Sequence, residues 1–273
     1  MCARRLCSFN LPWWGGDAAK WAAKAVANGA AQRTPQAPPR ALQSRCRRVL
    51  AALLPLGLVA CSPPSAGPDW FPFQAGESQR YGVTWARDGE PAQQVVWQET
   101  WGQPSAWHDE TAWPRRHSDG VRFWLQASDQ GVRRVATQAD IDDAPTDDPE
   151  PRWVLKAPYT VGTEWRVLSV PYLLRRTNEY PNDLRLTHQV WMQWRIEAVN
   201  ERVQVPAGSF APCLRVEGEG KLRLYVDPVR GFQDVPVLGT EWYCQGHGLV
   251  KWRRQEHVKS GFFTGGEVTA ELL

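Results

Sequence analysis

The sequence predicts an all-β domain at residues 69–273, built as a single, strongly curved antiparallel sheet. Apolar side chains in this region recur at every second position, which is the period of a strand with one buried face. Turn-forming residues separate these runs at short intervals, and no segment longer than ten residues prefers the helical period. A barrel or a sandwich is the alternative architecture, because the same pattern of short strands builds all three.

The strands are predicted from the alternation itself. Tyr81, Val83 and Trp85 share one face of the first strand, and Val190 to Ala198 is the longest alternating run. The remaining strands are predicted at Val95–Trp101, Val121–Ala127, Val132–Thr137, Arg152–Lys156, Glu164–Val170, Arg202–Val205, Ala211–Glu217, Lys221–Val226, Glu241–Gln245 and Leu249–Glu256.

Short turns between these strands predict hairpins. Each contains a glycine, and four of the five also contain aspartate, serine or proline, residues that accept the backbone angles of tight turns. The predicted turns are Asp88–Glu90, Ser118–Gly120, Asp129–Gly131, Val161–Thr163 and Val205–Gly208.

The segment before the domain has the layout of a secretory signal at residues 45–60. A twelve-residue apolar run, Val49 to Ala60, follows Arg45, Arg47 and Arg48. A transmembrane helix needs about 20 apolar residues, so this run is too short to remain as a membrane span. Residues 1–44 show no apolar periodicity, and we expect them to be unstructured. Either they form a long leader, or the true start of the protein lies within them, with Leu42 as a candidate position.

Leu58-Val59-Ala60-Cys61 resembles the lipobox of bacterial lipoproteins. The resemblance implies that the Cys61 thiol receives a diacylglyceryl group and that cleavage and acylation make Cys61 the first residue. Several acyl chains anchor a protein stably, whereas one chain binds membranes weakly. Ser62 stands where aspartate is the inner-membrane retention signal, which implies the outer membrane and its periplasmic side. Residues 61–68 then form a lipidated, proline-rich tether.

Charge argues against a nucleic-acid partner. Residues 1–60 contain nine of the 32 basic side chains and one of the 29 acidic ones. The chain from Cys61 onward therefore has 23 basic and 28 acidic side chains, a net charge of −5. The basic excess belongs to the leader, and the predicted domain is acidic.

Two cysteines, Cys213 and Cys244, lie in the predicted domain. A pair in an oxidising compartment predicts a disulfide, with two separately buried thiols as the alternative. Both cysteines lie on predicted strands, and cross-strand neighbours satisfy the distance that a disulfide requires.

Three motifs at about residues 155–255 resemble those of an uncharacterised family of bacterial envelope proteins. They are Val161-Gly162-Thr163-Glu164-Trp165, Val205-Pro206-Ala207-Gly208-Ser209-Phe210 and Gly246-His247-Gly248-Leu249-Val250-Lys251. This resemblance implies a twisted antiparallel sheet, somewhat like the half-barrels of periplasmic lipoprotein carriers, and it implies no activity. The Pro206–Phe210 motif is also explained as a hairpin, because proline cannot donate to a ladder and Gly208 supplies a positive φ.

The sequence contains no pattern that names a reaction. His108-Asp109-Glu110 with His117 offers metal-ligand types, yet adjacent residues on a strand point apart, so a solvated turn is the expected structure. The acidic residues of 140–150 lack the spacing of a calcium loop, and we expect a mobile, solvated loop. Ser209 has no nucleophile elbow around it. We therefore expect no catalytic residue, no metal and no cofactor.

Tryptophan is the unusual component of the composition, with 16 residues in the chain. Trp97, Trp101, Trp107 and Trp113 lie close in sequence and are candidates for stacking sugars or accommodating acyl chains on a curved sheet. The alternative is that these rings fill the core.

Together these features predict a lipid-anchored protein facing the periplasm, a non-catalytic binding or structural module. Its expected partners are the membrane, an apolar or glycan ligand, or another envelope protein. The alternative is a hydrolase or metal-dependent enzyme of unknown substrate.

Overall fold

A computed structural model describes residues 68–176 and 188–273 of the chain. Within these two ranges all regular structure is β, and no helix there has the length and apolarity to cross a membrane. The strands are β1 Ser78–Arg87, β2 Gln93–Trp101, β3 Ser105–Trp107, β4 Glu110–His117, β5 Arg122–Ser128, β6 Gly131–Gln138, β7 Thr146–Lys156, β8 Glu164–Ser169, β9 Arg175–Arg176, β10 Val190–Val205, β11 Gly208–Asp227, β12 Gly231–Cys244, β13 Gly248–Glu256, β14 Phe263–Thr264 and β15 Gly266–Leu272.

Nearly all of these strands belong to one antiparallel sheet, as predicted. Its order is β7-β6-β5-β4-β2-β1-β15-β13-β12-β11-β10-β8, with β3 paired to β4, while β9 and β14 form a separate two-stranded ribbon. Most neighbours in the sheet are also neighbours in sequence, because short turns connect them as hairpins. The exceptions are the pairings of β2 with β4, of β8 with β10, and of β1 and β13 with β15.

The sheet is open between the strands that the structure describes. β7 and β8 lie at its two ends and share no ladder of hydrogen bonds. A side chain links them instead, since Nη2 of Arg152 on β7 donates to the carbonyl oxygen of Leu168 on β8. The barrel alternative is therefore not formed by the described residues.

Two predicted pairs of strands are single long strands. β10 joins Val190–Ala198 to Arg202–Val205, and β11 joins Ala211–Glu217 to Lys221–Val226. The register between β10 and β11 shifts between Ile196 and Val203, and this irregularity explains why the apolar alternation of β10 is interrupted after Ala198. β12 begins at Gly231, ten residues before its predicted start at Glu241.

β4 and β15 were not predicted. β4 contains Pro114, and Arg115 and His117 occupy two of its three buried positions. β15 buries only small side chains at its centre, Val268 and Ala270. The alternation of apolar residues is weak in both segments because polar or small side chains occupy buried positions.

One face of the sheet carries a core rich in aromatic rings. Phe71 and Phe73, from the segment before β1, pack on this face against Trp101, with ring centroids 6.1 and 4.9 Å from it. Trp97 and Trp252 stack with centroids 6.0 Å apart. The residues that follow the tether therefore cover the core with apolar surface before the first strand begins.

Candidate functional site

Cys61, the predicted lipidation site, lies outside the described residues. The domain that follows it begins at one end of the sheet. The carbonyl oxygen of Asp69 accepts a hydrogen bond from the Gly246 amide at 2.7 Å, and its carboxylate accepts one from Gln245 at 3.3 Å. Both partners belong to the turn between β12 and β13, residues 245–247. We call this end of the sheet, defined by Asp69 and that turn, the anchor end.

The predicted disulfide between Cys213 and Cys244 is confirmed. The two residues lie directly opposite each other on β11 and β12, with their Cα atoms 4.0 Å apart. Both are buried, in a small apolar cluster with Val203, Val205 and Val250 that is separate from the main core. The bond ties the anchor end of the longest hairpin together.

The four candidate tryptophans do not form one surface. Trp97 and Trp101 are 6% and 4% exposed within the main core, and Trp113 packs against that core beside Phe73. Trp107 belongs to a different cluster, where its ring lies 5.7 Å from that of Trp124. The rings thus contribute to packing in two places, and a ligand site built from them stays a prediction.

His108 and Asp109 form an exposed turn between β3 and β4, as predicted, and Glu110 is the exposed first residue of β4. This turn borders an open hollow of about 440 Å³, together with residues 104–106 and Thr111. The imidazole of His108 contacts Asp147 at 3.2 Å, and both side chains are more than half exposed. His117 is buried and pairs with Asp119 instead. No three potential metal ligands converge anywhere in ranges 68–176 and 188–273.

The acidic segment is more ordered than the mobile loop that the sequence predicted. Asp147 and Asp148 belong to strand β7, and Asp148 forms a buried ion pair with Arg134 at 2.6 Å. Asp142 caps the preceding turn by accepting from the Ala139 amide at 2.9 Å. Asp142, Asp147 and Asp148 therefore each have a protein partner.

A buried carboxylate, Glu256, holds the segment after β8 against the core. It is fully buried, pairs with Nε of Arg254 at 2.9 Å, and accepts the backbone amides of residues 172–174 at 2.9–3.4 Å. The Arg254 guanidinium also lies 5.1 Å from the Tyr172 ring. The sequence pattern missed this cluster because two charged residues occupy positions that alternation assigns to the core.

Glu241 is a second interior acid and lies on β12. Burial raises the pKa of its carboxyl to about 8, and the hydrogen bond that Tyr243 donates at 2.9 Å opposes this shift. Tyr81 has its pKa raised by burial as well, and its hydroxyl donates to the Leu249 carbonyl at 2.7 Å. A raised acid pKa is a property of some general acids, but at 4% exposure Glu241 offers no access to a substrate in this conformation.

The most unusual surface of the described domain is apolar and lies at the far end of the β11–β12 hairpin. We call it the aromatic tip: Tyr225, Val229, Phe232 and Phe262. Val229 is 94% and Phe232 62% exposed. The Tyr225 ring lies 5.4 Å from Phe232 and 6.4 Å from Phe262, so the three rings form one patch, and Val229 is exposed in the turn of the same hairpin. Contiguous exposed apolar patches mark interaction sites, whereas scattered residues do not.

The loop carrying Phe262 is fastened to the hairpin. Ser260 donates from its hydroxyl to the Val226 carbonyl, and Arg230 donates to the Lys259 carbonyl at 2.5 Å. Ser260 also accepts the amides of Phe262 and Phe263 at 2.9 and 3.1 Å. The exposed rings are thus presented by well-bonded backbone.

Sequence reasoning did not identify this patch, although a signal for it was present. Leu222, Leu224 and Val226 are the buried set of this part of β11, so Tyr225 falls on its outer face. Phe232 falls on the outer face of β12 in the same way, directly opposite Tyr225. Aromatic residues at outward positions of both strands of one hairpin predict an exposed pair.

Comparison with known proteins identifies no family. No family model matches the sequence, and no curated protein matches it. The motif resemblance to an envelope-protein family therefore stays a prediction.

Two solved structures are similar to the chain at low level. A "putative exported protein with YmcC-like fold" from Bacteroides fragilis NCTC 9343 is 16% identical, with 74% of this chain and 96% of that chain covered and a TM-score of 0.32. A "putative lipoprotein" from Parabacteroides distasonis ATCC 8503 is 13% identical, with 75% and 98% covered and a TM-score of 0.31. TM-scores this low support no conclusion about function.

Proposed function

We propose that this chain is a lipid-anchored envelope protein whose all-β domain works, without catalysis, as a docking module. The anchor is Cys61, and the domain faces the periplasm from the outer membrane. The lipobox Leu58-Val59-Ala60-Cys61 and Ser62 support the location, and the acidic domain fits a role that involves no nucleic acid.

The single observation that carries the docking role is the aromatic tip. Three exposed aromatic rings form one patch on a fastened hairpin and loop, Val229 is exposed in the turn of that hairpin, and the exposure of these side chains has an energetic cost in water. Covering them with a partner's apolar surface removes that cost. The interior aromatics are already covered by protein, so they supply no comparable driving force for association.

An intact mass tests the location. The full chain is expressed with its native leader in a bacterial host and extracted in mild detergent. We expect a mass that begins at triacylated Cys61 and is two hydrogens light, since the Cys213–Cys244 disulfide is formed. An unmodified chain beginning near Met1 would refute the proposed anchor.

The docking role is tested by the size of the detergent-extracted complex. We expect wild type to migrate above its monomer mass and the double variant Tyr225→Ser, Phe232→Ser to migrate as the monomer. Ile141→Ser is the matched control, because Ile141 is 74% exposed but lies outside the tip. The docking role is wrong if the tip variant and wild type migrate alike.

A further inference from the structure

The aromatic tip and its flanks form a surface that is complementary to itself. Tyr225 pairs directly with Phe232 across the hairpin, and the next outward pair along it is Arg223 with Asp234. These two charges lie 3.3 Å apart, and their side chains are 68% and 54% exposed. Each strand thus presents an aromatic ring and one charge, and the charge on β11 is opposite in sign to that on β12.

We propose that the occupant of the aromatic tip is a second copy of this chain, packed hairpin against hairpin around a two-fold axis. The proposal rests on the docking role and names the partner. A two-fold interface uses the same patch on both subunits, so the patch must complement itself.

The geometry of the hairpin meets that requirement. A two-fold axis that runs parallel to β11 and β12, between two facing hairpins, places β11 of each copy opposite β12 of the other. Residues at the same height along the axis then face each other. The axis therefore places Tyr225 of one copy against Phe232 of the other and Arg223 against Asp234 of the other. Apolar side chains meet at the centre, and opposite charges meet beside them.

The charges around the patch favour a copy over a strongly charged partner. Arg223 and Arg230 are balanced by Asp234 and Asp227, the latter 3.8 Å from Arg230. A strongly acidic or strongly basic surface would repel half of these groups, whereas a second copy supplies equal numbers of both signs.

The position of the tip also allows both copies to be anchored in one membrane. β12 runs for 14 residues from Gly231, beside the tip, to Cys244, beside the anchor end. At about 3.3 Å per residue the two ends of this strand are roughly 45 Å apart. An axis parallel to the strands leaves both anchor ends on the same side, as two lipid anchors in one leaflet require.

Cysteine cross-linking of the full acylated chain tests the proposal. Val229→Cys places a thiol at the end of the hairpin, close to the proposed axis, while Cys61 is acylated and Cys213 and Cys244 are bonded to each other. After mild oxidation of intact membranes, we expect a reductant-sensitive band at twice the monomer mass. Val161→Cys is the matched control, since Val161 is 55% exposed and lies between β7 and β8, outside the aromatic tip. We expect it to give at least fivefold less dimer.

A second variant separates packing from chance collision. Adding Phe232→Ser to Val229→Cys should reduce the dimer band at least fivefold, with circular dichroism unchanged because Phe232 is on the surface. Equal dimer from Val229→Cys and Val161→Cys, or dimer that is insensitive to Phe232→Ser, would overturn the second copy as partner.

The remaining outcomes distinguish this proposal from the docking role. If Val229→Cys cross-links only to a different protein, the second copy is wrong and the docking role stands. If it cross-links to nothing while extraction shows a single monomer, both are wrong.

Discussion

Glu256 shows how one side chain can decide whether a segment without sheet partners is ordered. Its carboxylate receives three backbone amides from residues 172–174 and pairs with Arg254, and both charged groups are fully buried. Replacing one member of a buried ion pair is expensive because the other charge stays in the interior. The segment therefore depends on an ion pair rather than on apolar contact alone.

We expect Glu256→Gln to lower the free energy of unfolding by about 3 kcal/mol. The amide cannot neutralise Arg254, and it offers one acceptor oxygen instead of two. Urea titration followed by tryptophan fluorescence measures the change. Glu110→Gln is the control, since its side chain is 59% exposed and such ion pairs contribute little. Equal effects of the two substitutions would contradict the role of Glu256.

Glu241 should make stability depend on pH. Burial raises its folded pKa to about 8, whereas the unfolded value is near 4.3, so the folded state holds an extra proton between these limits. Stability is therefore highest below the unfolded pKa and falls as pH rises through this window, by at most about 1.4 kcal/mol per pH unit.

Glu241→Gln removes this dependence, because an amide does not titrate. We expect the variant to gain stability relative to wild type between pH 5 and pH 8, measured by urea titration at each pH. If the difference in free energy of unfolding between the variant and wild type is the same at pH 5 and at pH 8, Glu241 is ionised in the folded state.

At the scale of elements, β10, β11 and β12 are fitted together by one large ring and two glycines. Trp194 on β10 lies over Gly218 on β11 and Gly239 on β12, which are directly opposite in register. A Cβ atom at Gly239 would lie 2.5 Å from Cη2 of Trp194, and one at Gly218 would lie 2.6 Å from Cδ2. The missing side chains are what allow the indole to lie against the sheet.

Gly239→Ala should therefore destabilise the domain by about 2 kcal/mol, through overpacking against Trp194. Thermal and urea unfolding measure this loss. Gly261→Ala is the matched control, since a Cβ there would have nothing within 4 Å. Gly239→Ala should cost less stability in the Trp194→Leu background than in wild type. An equal cost in the two backgrounds would argue against this contact.

For the molecule as a whole, attachment and folding should be separable. We expect Cys61→Ser to move the protein from the membrane fraction to the soluble fraction, with the same unfolding midpoint for the β domain. Ser62→Ala is the control and should stay with the membrane. Membrane retention of Cys61→Ser at the wild-type level would mean that something other than the lipid holds the protein there.

Much of the fold could be predicted because a strand's alternation is local. The predicted run at Val190–Ala198 lies within β10, and the turn at Val205–Gly208 joins β10 to β11 with a positive φ at Gly208. Prediction failed where the interior is charged or small, as at Arg115 in β4 and Ala270 in β15. Charged residues in a core are stable only when they have buried partners, and whether a partner is present cannot be read from the alternation of one strand.

The candidate sites were less predictable than the fold. The disulfide followed from the cysteine count and compartment, and the structure confirms it. The tryptophans were conspicuous in composition, yet Trp97 and Trp101 are in the core. The aromatic tip needed the register of β11 and β12 to be recognised, because Tyr225 and Phe232 are adjacent only after pairing.

The sequence by itself determined the all-β class and the main hairpins, and it predicted the disulfide and the lipid anchor. Backbone pleating and turn chemistry act over a few residues, so their signals are readable along the chain. Tertiary structure alone decided the strand order, the interior ion pairs and which aromatic rings are exposed. These features depend on which residues pack on each face of the sheet, and those residues are far apart in sequence. Glu256, for example, accepts hydrogen bonds from the backbone amides of residues 172–174.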